Sequence, residues 1–67
     1  MKSLTEFKSL PYQEKLSLVK AIFAELAKHY EYFKDLHIYI SKHKGEISEE
    51  FLDTSYEIAF KLHEKLK

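Results

Sequence analysis

From Tyr12 onward the chain carries apolar or aromatic side chains at alternating four- and three-residue steps, through Leu16, Val19, Phe23, Leu26, Tyr30 and Phe33, then His37, then Ile40. That spacing is the heptad of a helix with one buried seam, and neither Gly nor Pro interrupts it. The pattern predicts a single long helix over about residues 11–43, roughly 50 Å from end to end. Pro11 suits the first turn of such a helix, and it pushes Leu10 out of helical geometry.

The flanks carry their own boundary signals. Ser3 and Glu6 stand at capping-box spacing among Leu4, Phe7 and Leu10, which predicts a short helix over about 3–10. Lys42, His43 and Lys44 would complement the negative end of the long helix, and Gly45 suits a left-handed C-cap. Ser48 then offers an N-cap, Glu49 and Glu50 fill a first turn, and Ile47 is placed to staple against Leu52. A second long helix is expected over about 48–67, burying Phe51, Leu52, Ser55, Ile58, Ala59, Leu62 and Leu66 and turning Asp53, Glu57, Lys61 and Glu64 outward. The alternation at Leu36–Ser41 also permits a short strand, whose only available partner would be residues 46–48.

The fold expected from these signals is all-α and one small helical domain over 1–67. It is a helical hairpin with a short N-terminal helix, closed either as a three-helix bundle or as a dimeric helical bundle. A chain of 67 residues without Cys buries only about 60% of its unfolded surface and has no disulfide to help it. The second helix is too short to cover the first. Leu18, Ile22, Tyr32, Leu36, Ile38 and Tyr39 lie outside the main seam, and Tyr56, Phe60 and His63 widen the apolar arc of the second helix. These features point to a homodimer, or to a helical protein partner, with Leu16, Val19, Phe23, Leu26, Tyr30, Tyr32, Phe33, Tyr39, Tyr56 and Phe60 as the interface.

Chemistry is harder to find. Eleven basic residues balance eleven acidic ones, and every basic residue is Lys. The chain therefore has no broad field and no guanidinium fork for phosphate or guanine, so nucleic acid is not the expected partner. A dimeric DNA-binding regulator using the Lys42–Lys44 turn is the alternative. Glu25 and His29 stand one helical turn apart, and His37 occupies a seam position, but no Glu-x-x-His or His-x-x-x-His pair occurs. The single Gly cannot build a phosphate-cradling loop. No catalytic, cofactor or metal site is expected, and no enzymatic activity. The N-terminus lacks a signal-peptide core and no window reaches the length of a membrane span. The expected protein is cytoplasmic and binds other proteins as an adaptor, regulator or inhibitor, associating with itself through the heptad helix.

Overall fold

Among the described residues four helices make up the fold: α1 over Leu4–Lys8, α2 over Tyr12–Leu26, α3 over Glu31–Lys42 and α4 over Glu49–Lys65. The computed structural model describes residues 2–43 and 45–65. The expected all-α class holds, and α1 begins where its capping box places it. The Glu6 N–H donates to Ser3 Oγ at 3.1 Å and the Ser3 N–H to Glu6 Oε1 at 3.4 Å. The helix closes early, with the Ser9 N–H on the Glu6 carbonyl and the Leu10 N–H on the Phe7 carbonyl. Pro11 follows in extended conformation and caps α2, its carbonyl accepting the Lys15 N–H at 3.0 Å.

The long heptad helix is not continuous. Helix α2 ends at Leu26, residues 27–30 form a tight turn, and α3 starts at Glu31. The Lys28 N–H reaches back to the Glu25 carbonyl at 3.3 Å, and the His29 and Tyr30 N–H groups both reach Leu26 at 3.0 Å. Tyr30 itself is extended, at φ −136° and ψ 122°. No Gly or Pro causes this break; packing does. In an unbroken helix Phe23 and Phe33 would lie about 15 Å apart along the axis. Folded back, their ring centroids are 5.1 Å apart and both rings are buried. Burying a Phe is worth about 1.5–3 kcal/mol, whereas a backbone hydrogen bond nets only about 1 kcal/mol. The turn therefore costs less than the burial it permits.

The remaining boundary is mostly as expected. Ser48 Oγ accepts the Phe51 N–H at 3.0 Å, and Ile47 and Leu52 both enter the core. Gly45 differs, because its φ is not positive. Helix α3 ends instead on His43, at φ −118° and ψ 42°, whose N–H bonds the Tyr39 carbonyl at 3.0 Å. Lys44, part of the expected basic turn, lies outside the described residues. The Leu36–Ser41 alternation is helical, inside α3.

Helix α2 is the central element. Both α3 and α4 pack on it, and α1 packs on α4. One core results, built from Phe7, Leu16, Val19, Phe23, Phe33, Ile40, Ile47, Leu52, Tyr56 and Ala59. The molecule measures 32 × 26 × 15 Å, too short for a helix of roughly 50 Å. Its exposed surface of 4556 Å² is close to the about 4,450 Å² that a compact monomer of this mass presents. Once the heptad helix folds on itself, its seam needs no second chain to cover it. Among the described residues no helix is long and apolar enough to cross a membrane.

Candidate interaction surface

The fold sorts the expected interface residues into three groups. Leu16, Val19, Phe23, Phe33 and Tyr56 are buried in the core of the single chain, and in this fold they face no partner. Leu26, Tyr30 and Phe60 are half-buried and pack against that core. Tyr32 and Tyr39 are exposed, at 53% and 45%. The seam is thus spent on internal packing, and the outward aromatics are the two that fall beside it.

These two tyrosines have apolar company. Four large apolar side chains remain exposed among the described residues, Tyr32, Ile38, Tyr39 and Ile58, and the first three stand on α3. At 100° per residue, Ile38, Tyr39 and Tyr32 fall within an arc of about 120°, with half-buried Leu36 at its edge. Glu31, Asp35 and Lys42, all exposed, lie in the same arc. The face therefore carries acid toward the N-terminus of α3 and a base at its C-terminus. Ile38 was visible in the sequence as an apolar residue outside the seam, but a continuous helix gave it no distinct role.

The aromatic rings on this face are held by neighbours. Tyr32 meets Phe33 edge-on at 5.2 Å. Tyr39 lies 4.5 Å from the His43 ring and 5.6 Å from Phe51 of α4. His43 in turn places Nδ1 3.0 Å from Glu46 Oε2. A side chain already restrained by such contacts loses less entropy when a partner covers it.

A second cluster was not foreseen. Lys15 is 2% exposed, with its Nζ 2.9 Å from Asp53 Oδ1, 3.2 Å from Glu49 Oε2 and 5.7 Å from the centre of the Phe7 ring. Desolvation pulls the Lys15 pKa down, but hydrogen bonds from Asp53 and Glu49 and their charges outweigh it, so the ammonium is held above its ordinary range. A lysine kept protonated is a tether between α2 and α4, not a nucleophile. Asp53, expected on the outer side of α4, turns inward to meet it. Nothing in one-dimensional spacing pairs a residue of α2 with two residues of α4.

Glu25, set one turn from His29 in the sequence, pairs instead with Lys28 at 3.1 Å, and His37 is half-buried on α3. Among the described residues no three His, Asp or Glu side chains come together to hold a metal ion. An open groove of ≈ 640 Å³ runs along the back of α2, where Leu10, Leu18 and Ala21 lie among Lys2, Gln13, Glu14 and Ser17. Among the described residues that line it, none is aromatic and none is a buried charge. No protein-family model, curated protein or solved structure matches the chain.

Proposed function

We propose that this protein is a protein–protein interaction module of the cytoplasm, an adaptor, regulator or inhibitor, that presents the outer face of α3 to a helical partner. The observation that carries this reading is the placement of Tyr32, Ile38 and Tyr39 on one helix, where among the described residues Ile58 of α4 is the one other exposed large apolar side chain. Tyrosine supplies a large contact area at low entropic cost and keeps a hydroxyl that tolerates water when unbound. Glu31, Asp35 and Lys42, which lie on this face between Ile38 and the two tyrosines, would supply its polar contacts. The absence of Cys suits a reducing compartment.

The test is photocrosslinking in the native host. A benzophenone amino acid replaces Tyr39 in one variant and Ser17, on the back of α2, in another. Protein adducts at position 39 that are weak or missing at position 17 are the expected result. Equal labelling at both positions would overturn the reading.

A further inference from the structure

We infer that the outer face of α3 is occupied by the same face of a second copy of this chain, with the two α3 helices antiparallel about a two-fold axis between Ile38 and Tyr39. This rests on the interaction reading above and specifies the partner. It uses a different surface from the heptad seam, which is internal.

Self-complementarity is the argument. A two-fold pairing brings each residue of one copy against a residue displaced symmetrically about the axis on the other. With the axis between Ile38 and Tyr39, Ile38 of one copy meets Tyr39 of the other, and exposed apolar surface covers exposed apolar surface. The same operation sets Asp35 against Lys42, and symmetry makes that ion pair twice. The acid at one end of the face and the base at the other are thus complementary only when the helices run in opposite directions. A parallel pairing would oppose Asp35 to Asp35 and Lys42 to Lys42. Antiparallel helices also place opposite macrodipole ends side by side. The chain has zero net charge, so no general repulsion opposes the approach of a copy.

Size sets the strength. Helix α3 has 12 residues and is about 18 Å long. Such a face falls short of the roughly 1,200 Å² of a standard interface, so the dimer is weak and exchanges rapidly.

Sedimentation of the full chain from micromolar to millimolar concentration at low salt tests this. A monomer–dimer equilibrium is expected. D35K and K42D each set like charges opposite one another at both symmetric positions and weaken the dimer roughly three- to tenfold. The D35K/K42D double variant exchanges the charges and restores it, and that rescue separates an interface effect from a folding defect. I38S, at an exposed position, abolishes dimerisation while leaving helicity unchanged. A monomer throughout, or a D35K defect that K42D does not repair, would overturn the pairing. If position 39 still yields adducts with another protein in that event, the interaction reading survives without the self-pairing. If position 39 labels no better than position 17, the interaction reading itself fails.

Discussion

The ring of Phe7 lies flat on the ring of Tyr56, with centroids 3.9 Å apart and planes within 3° of parallel. This stack anchors the five-residue helix α1 to α4. A helix that short has no stability of its own, because nucleation costs more than one turn of hydrogen bonds returns. The Tyr56 hydroxyl adds a bond to the Lys2 carbonyl, and the Lys15 ammonium lies 5.7 Å from the centre of the Phe7 ring. Phe7→Ala should therefore remove about 3–5 kcal/mol, the usual cost of deleting a buried ring. Urea unfolding followed by circular dichroism measures it. A loss below about 1 kcal/mol would mean that α1 contributes little to the core.

Lys15 separates the value of a charge from that of its carbon stem. Its ammonium is sequestered with Asp53 and Glu49, yet Glu49 is well exposed and can return to water if the pair is broken. Replacing a buried ion pair by apolar volume is often neutral or better. Lys15→Met keeps the stem buried, so its stability should stay within about 1 kcal/mol of the parent. Lys15→Ala removes the stem as well and should cost about 2 kcal/mol. Thermal unfolding of the two variants, compared side by side, decides it, and equal losses would assign the role to the charge.

Alkaline pH should unfold this protein earlier than acid–base balance alone suggests. Tyr56 is held above its ordinary value of 10.0, first by burial and then by the nearby charge of Glu6, against a smaller opposing effect of its bond to Lys2. Lys15 is also raised, above 10.5, through its two carboxylates. In both cases the folded state binds the proton more tightly than the unfolded chain does. Their contribution is complete below the unfolded pKa values and is lost as pH rises through the folded ones. Urea midpoints should hold up to about pH 10 and fall above it. Tyr56→Phe should start from a lower stability, having lost the bond to Lys2, but decline less steeply. A decline of unchanged slope in Tyr56→Phe combined with Lys15→Met would place the alkaline sensitivity elsewhere.

The local signals in the sequence were legible because each depends on neighbours in the chain. Ser3 with Glu6, Pro11, and Ser48 with Ile47 and Leu52 mark real helix boundaries. The turn at 27–30 was not legible, since Ala27, Lys28, His29 and Tyr30 carry no breaking residue. Only the demand of Phe23, Phe33 and Ile40 for a common core places it there. The candidate surface inherits that gap. With the helix intact, Phe23 and Tyr32 look equally in need of a partner; once it folds, Phe23 is covered and Tyr32 is not. The Lys15 cluster was hidden for a related reason, because its three charges come from two helices whose facing register the sequence pattern does not fix.

The folded-back arrangement of α2 and α3 makes a prediction that a continuous helix contradicts outright. Ser17 on α2 and Ser41 on α3 are both exposed, so spin labels at S17C/S41C should leave the core undisturbed. Along an unbroken helix the two positions would stand about 36 Å apart. With α3 returned along α2, the separation should fall to about half of that or less, as measured by pulsed dipolar spectroscopy. Phe33→Ala removes the ring that repays the turn and should cost about 3–5 kcal/mol. It should also broaden the distance distribution toward the longer value, because no Gly or Pro between α2 and α3 prevents them from joining into one helix. A narrow short distance that Phe33→Ala leaves unchanged would show that the turn at 27–30 is set by its own residues and not by the core.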